Sequence, residues 1–288
     1  MKDRISSFHP LVEFAYFALT LTFAMWFTHP VCQSVSLAAA FAYSVYLRGG
    51  RAARGGLLGL LPLIIVTALL NPLFSHQGQT ILAYLPSGNP LTEESVLYGL
   101  SAGVMLAAVI CWFACLNAVL SGDKLVYLFG RAAPSASLLL AMTLRFVPLF
   151  TRRMRQTSLA RRATGSPQGV RESLKVLSGV TGWAMENAVD TADSMKSRGY
   201  GLPGRTAYSV CRFSRRDGRA LLALGLCGAA VIFFKCSGAL YWHYYPSVGG
   251  AAGPETYAAA AVYAALCFAP TVIGILEDAQ WRALRSGT

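Results

Sequence analysis

Residues 96–120 read VLYGLSAGVMLAAVICWFACLNAVL, from Val96 to Leu120, without a single charged side chain. At about 1.5 Å per residue this stretch rises about 37 Å as a helix, more than the roughly 30 Å hydrocarbon core of a bilayer. Other apolar stretches lie on both sides: Leu11–Phe27, Val31–Leu47 and Leu57–Phe74 before it, Ala220–Phe234 and Thr256–Leu276 after it. Ala220–Phe234 is the shortest and extends through Cys236–Trp242 if Lys235 snorkels to the interface. The first stretch follows Lys2 and Arg4, but Thr28-His29-Pro30 offers no small-x-small cleavage site. It reads as a retained span rather than a signal peptide.

Composition agrees. Of 288 residues 55% are apolar before glycine is counted, and 13% are charged. With glycine the apolar share is about 64%, against roughly 45–50% on the same count for soluble domains. These values exclude a disordered, fibrous or ordinary soluble chain and predict an all-α polytopic membrane protein with about six transmembrane helices. The seven cysteines are odd in number and contain no C-x-x-C pair. Cys111 and Cys115 share one helix face within an apolar span and are expected as buried thiols. His9, His29, His76 and His243 are scattered near span edges, so no metal site is expected.

The net charge is +12, from 25 Lys and Arg against 13 Asp and Glu. Its distribution separates a nucleic-acid binder from a membrane protein. Seventeen of the 25 basic residues lie in 121–219, and the segment 71–95 has none. Lys2, Arg4, Arg48, Arg51, Arg54, Arg282 and Arg285 fall on the same side of the bilayer as 121–219, leaving Lys235 alone on the other. The positive-inside bias then places both termini and 121–219 in the cytoplasm. Nucleic acid is not an expected partner; the lipid bilayer is. Three segments follow: 1–120 with spans one to four, a cytoplasmic module at 121–219, and 220–288 with spans five and six.

The module holds two long amphipathic helices. Pro134 suits a helix start, and Ser135–Thr164 begins apolar and ends basic. Pro148, in Arg145-Phe146-Val147-Pro148, is expected to kink it. Gly165 and Pro167 end it. The second helix begins near Gln168–Arg171 and runs to Arg198, with Gly199 placed as a left-handed cap. A stripe Leu174, Leu177, Thr181, Ala184, Ala188, Ala192, Met195 is small in its middle. Thr181, Ala184, Ala188 and Ala192 are expected to form a seam where another helix crosses closely. Each helix ends in arginine beside a glycine or a break: Ala160-Arg161-Arg162 in the first, Ser197-Arg198-Gly199 in the second.

The chain resembles the transmembrane T component of energy-coupling factor (ECF) transporters, the CbiQ-type family. The resemblance is carried by Thr143–Pro148, Ala160-Arg161-Arg162, Glu186-Asn187-Ala188 and Ser197-Arg198-Gly199-Tyr200-Gly201, with Phe8-His9-Pro10-Leu11 and Asn71-Pro72 in support. It implies a non-catalytic scaffold subunit of an ECF-type ABC importer in a bacterial or archaeal cytoplasmic membrane. Its two crossing cytoplasmic coupling helices would dock into two ABC-type ATPases, identical or different. A membrane-embedded substrate-binding S component would bring in a vitamin or metal ion. The ATPases would use ATP and Mg, and this chain would bind no cofactor. Arg161 and Arg198 match the motif arginines, Ala160 and Ser197 the small residue before each, and Gly199 the following glycine. Arg162 stands where the first motif usually has glycine, so Arg161 and Arg162 are both candidates for that docking position.

Absences agree with a scaffold. No Gly-x-x-x-x-Gly-Lys-[Ser/Thr], His-Glu-x-x-His or Gly-x-Ser-x-Gly occurs, so the sequence carries no P-loop and no catalytic residue is expected. The alternative is a polytopic membrane enzyme acting on a phosphorylated lipid or prenyl substrate, which needs clustered carboxylates for Mg²⁺. Asp190 and Asp193 are its only candidates.

Overall fold

The computed structural model describes residues 8–75, 78–84, 90–130, 133–165, 169–203, 213–251 and 253–286. Lys2, Arg4, His76, Pro167, Gln168 and Cys211 lie outside them. The chain divides into two units, 1–121 with 211–288, and 122–210.

The first unit contains α1 (Pro10–Trp26), α2 (Pro30–Arg48), α3 (Gly50–Phe74), the hairpin β1 (Ile81–Tyr84) and β2 (Pro90–Thr92), and α4 (Glu93–Val119). The second unit contributes α5 (Gly122–Gly130), α6 (Pro134–Ala163) and α7 (Val170–Ser197). The chain then returns to the first unit with α8 (Arg215–Cys236), the short ribbon β3 (Trp242–His243) and β4 (Gly249–Gly250), and α9 (Pro254–Ser286). The six stretches read as spans fall on α1, α2, α3, α4, α8 and α9. The protein is an all-α polytopic membrane protein. By length and composition α2, α4, α6, α8 and residues 254–280 of α9 can cross a bilayer, while α1 and Leu58–Phe74 are shorter apolar helices. α6 joins this set through the apolar half that precedes Arg152.

Two of these helices begin in the same way. His9 precedes Pro10 and His29 precedes Pro30, with proline in the first turn where its missing N–H costs nothing. In each, the histidine Nδ1 accepts the backbone N–H two residues on, from Leu11 and Val31, at 3.3 Å. The Nε2 of His29 also lies 3.3 Å from the Ala251 carbonyl. A ring that accepts at Nδ1 and meets a carbonyl at Nε2 is the neutral Nε2–H tautomer. Burial lowers the His29 pKa, the Ala251 carbonyl opposes this, and Lys235 adds to the lowering.

The core of the first unit gathers around Trp112 of α4, which is fully buried. Its Nε1 donates to Ser36 Oγ on α2 at 3.1 Å, and its ring meets the edges of Tyr16 and Phe17 on α1. Tyr16 in turn donates to the Cys267 carbonyl of α9 at 3.1 Å. Cys111 and Cys115 are buried free thiols. α3 packs on α4 through Gly99 and Gly103, against Thr67, Ile64 and Asn71. The opposite face of α3 exposes Leu58, Ile65 and Leu69, as suits a helix wall facing lipid.

The hairpin has register Ile81↔Thr92, Ala83↔Leu91 and Tyr84↔Pro90, with a bulge after Ile81. The Glu94 carboxylate accepts the N–H groups of Gln79 and Thr80 at 3.2 Å and the Thr80 hydroxyl at 2.6 Å.

Where the chain re-enters the first unit, α8 opens with a reciprocal capping box. Ser214 Oγ accepts the Asp217 N–H at 3.3 Å, and Asp217 Oδ2 accepts the Ser214 N–H at 2.9 Å. The other Asp217 oxygen accepts the His9 N–H at 3.2 Å. Arg216 lies over the Phe8 ring at 3.8 Å, and Phe213 meets the His9 ring edge-on at 5.3 Å. One carboxylate thus fastens the start of α1 to the start of α8. Asp217→Ala is expected to lower the melting temperature of the solubilised chain by more than Ser214→Ala, whose cap is worth about 1 kcal/mol. Equal melting temperatures for the two variants would show that the bond to His9 contributes nothing.

Candidate functional site

The second unit carries the residues on which the functional reading rests. α5 lies antiparallel to the first half of α6, with Ser137 Oγ donating to the Val126 carbonyl at 3.0 Å. α6 runs unbroken through Pro148. Thr151 Oγ1 bonds back to the Val147 and Pro148 carbonyls at 3.1 and 3.0 Å. Arg145 is exposed.

α6 and α7 form an antiparallel hairpin, and three pairings fix its sense. Phe146 stacks on Trp183 with ring centroids 6.1 Å apart and planes at 14°. Arg153 lies over the same indole at 5.4 Å, a cation–π contact. Arg161 Nε reaches Glu172 Oε1 at 2.5 Å. Between these pairs α7 buries Val176 and Val180. Glu172, Val176, Val180 and Trp183 recur at steps of four, four and three, which is one helix face.

That face differs from the stripe expected from sequence. Ala184 is half-buried, while Thr181, Ala188 and Ala192 are exposed. Leu174, Leu177, Met185 and Val189 are exposed as well. α7 is apolar on two faces, so its periodicity fits either. Trp183 is the residue that sequence reasoning missed. Its signal is a large aromatic in phase with Val176 and Val180, opposite Phe146.

Both helices end in left-handed glycine, Gly165 and Gly199, each at φ +80°. At the end of α7 the Tyr200 N–H bonds the Met195 carbonyl at 3.0 Å and the Gly199 N–H bonds the Lys196 carbonyl at 3.1 Å. This is the Schellman arrangement, and it satisfies carbonyls that a bare helix end leaves open. At the end of α6 the Gly165 N–H bonds the Arg162 carbonyl at 3.1 Å. The side chains repeat too. Thr164 Oγ1 bonds the Arg161 carbonyl and Ser197 Oγ the Ser194 carbonyl, each three residues back at 2.9 Å.

Superposed by their caps, however, the arginines are not equivalent. Arg198 is itself the C-cap of α7, whereas Thr164 is the C-cap of α6 and Arg161 and Arg162 come before it. Ala160, Arg162, Ser197 and Arg198 are exposed, and Arg161 and Gly199 are half-buried. The structure does not bring the two ends together. The α6 end meets Glu172 in the first turn of α7, and Arg198 closes the far end. The intervening helix rises about 39 Å.

Charge at the α6 end is organised around Glu172. One carboxylate oxygen faces Arg161 and the other lies 3.4 Å from Lys175 Nζ. Burial pushes the Glu172 pKa up. The Lys175 hydrogen bond and the positive charges of Arg161 and Lys175 outweigh that, leaving the group below the ordinary glutamate value. Asp190 and Asp193 are exposed on α7. Among the described residues no group of three or more His, Cys, Asp or Glu is placed to hold a metal ion.

The family model described as CbiQ, cobalt transport protein, matches residues 4–208, a range that takes in α1 to α7. No curated protein matches the chain.

Proposed function

Because the chain belongs to the CbiQ cobalt transport protein family, and is therefore a membrane-embedded transport component, we propose that it is the energy-coupling scaffold of an ECF-type importer. Its α6–α7 hairpin receives ATP-driven motion from two ABC-type ATPase subunits and passes it to a membrane-embedded S component. The cargo is a metal ion or a vitamin. ATP and Mg are used by the ATPases, and both termini of the scaffold face the cytoplasm with the hairpin.

The observation that carries the reading is the pair of cationic helix tips. Each tip is closed by a left-handed glycine and flanked by small residues, Ala160 in one and Ser197 in the other. A narrow, firm tip suits a groove between ATPase subdomains. The guanidinium fork of arginine suits a carboxylate in that groove. A separation of about 39 Å along α7 lets the tips serve two separate subunits.

The test is native mass spectrometry of the complex after gentle detergent extraction from the source membrane. The expected assembly holds this chain, two ATPase subunits and one small membrane protein. A chain that emerges alone from membranes competent in ATP-driven uptake would refute the proposal.

A further inference from the structure

We infer that Glu172 is a positioning residue: it engages Arg161 within the hairpin and leaves Arg162 as the arginine that the α6 tip presents to an acidic groove on a partner ATPase. The inference rests on the docking role proposed above and deepens it by assigning separate tasks to two adjacent arginines.

The geometry at the tip distinguishes them. Arg161 Nε is 2.5 Å from Glu172 Oε1, and the Glu172 side chain is only 15% exposed. The carboxylate lies in the first turn of α7, where the helix macrodipole favours an anion, and Lys175 approaches its second oxygen. A partner that bound Arg161 would share its guanidinium with Glu172. Arg162 follows one residue later, about 100° further round the helix. It is exposed and forms no ion pair among the described residues. The Arg162 carbonyl also accepts the Gly165 N–H, so the cap fixes its backbone, and its side chain is exposed. The second tip offers the same combination, an exposed Arg198 on a capped backbone.

Charge exchange tests this in the complete complex, read as ATPase retained per chain and as ATP-driven uptake. Arg161→Glu and Glu172→Arg are each expected to lower retention by about tenfold, and the double variant to return it to within about twofold. Arg162→Ala is expected to lose about thirtyfold or more. A double variant that stays as low as Arg161→Glu would overturn the inference, because Arg161 would then itself contact the partner. Single variants that retain the ATPases fully would overturn it as well.

Should the exchanged pair fail to give a monodisperse chain, Glu172→Gln replaces it, keeping the shape of the side chain without its charge. It is expected to lower retention by about tenfold; a Glu172→Gln chain that retains the ATPases fully counts against the inference. Arg198→Ala in the same preparation separates the two levels. If both Arg198→Ala and Arg162→Ala retain the ATPases, the docking role itself fails. If both lose them and charge exchange does not rescue, only the role of Glu172 fails.

Discussion

Replacing Arg161, Arg162 and Arg198 together by alanine is expected to give a membrane-inserted, monodisperse chain that no longer holds ABC-type ATPases and no longer supports ATP-driven uptake. The fold should survive because the caps do not depend on these side chains. The Schellman bonds at Gly199 run between backbone groups of Tyr200, Met195 and Lys196. An arginine in a last helical turn adds only about 0.3–1 kcal/mol through the macrodipole. Docking should not survive. Removing one partner from a desolvated, hydrogen-bonded charge pair costs about 2–5 kcal/mol. Two tips lost at once, taken as additive, therefore correspond to a fall in affinity of about a thousandfold at the least. Co-purification in detergent together with uptake in vesicles measures both consequences. A triple variant with full uptake would remove the arginines from the coupling mechanism.

The second large effect is expected from Gly103→Leu. A Cβ at Gly103 would lie 2.6 Å from Thr67 Oγ1 and 3.0 Å from Ile64 Cα. The hydroxyl can rotate away, but the Ile64 backbone cannot move without shifting α3. Within a membrane, lipid tails are as apolar as leucine, so close packing of small residues carries much of helix association. Overpacking such a seam costs about 1–3 kcal/mol or more. For a chain of this size that corresponds to a fall in apparent Tm of roughly 2–10 °C. Gly59 lies on the same helix as Thr67, but a Cβ there meets nothing within 4 Å. Gly59→Leu should leave the Tm within about 1 °C of the parent. Equal melting of both variants would show that α3 and α4 do not depend on this approach.

The features legible in the sequence were those written in long, unambiguous runs. Val96–Leu120 identifies α4 because 25 residues without charge admit few alternatives. Pro134 marks the start of α6, and Gly199 marks the end of α7, because each residue has a backbone preference that its position uses. The hairpin was not legible. Strands of four and three residues carry almost no periodic signal, and the group that holds them, Glu94, belongs to the following helix. The histidine caps were hidden for a different reason. Histidine is an uncommon cap, and the pattern becomes visible only when His9-Pro10 and His29-Pro30 are seen to do the same work. At the α6–α7 hairpin the limit was ambiguity. Leu174, Leu177 and Ala184 fit a helical period as well as Val176, Val180 and Trp183 do, and only the partner helix chooses between them. The inequivalence of the arginines was likewise invisible, since Ala-Arg and Ser-Arg align by type while the caps align Arg198 with Thr164.

α7 is a continuous helix from Val170 to Ser197, and its length is fixed by the backbone bonds inside it. A rod of this kind can tilt or turn, but it shortens only by breaking those bonds. If its two tips rest on separate motor subunits that draw together when nucleotide binds, the shrinking gap has to be absorbed as rotation of the rod. The membrane side would then feel a swing, not a push, and inserting or deleting one turn of α7 should jam the stroke even with every arginine in place.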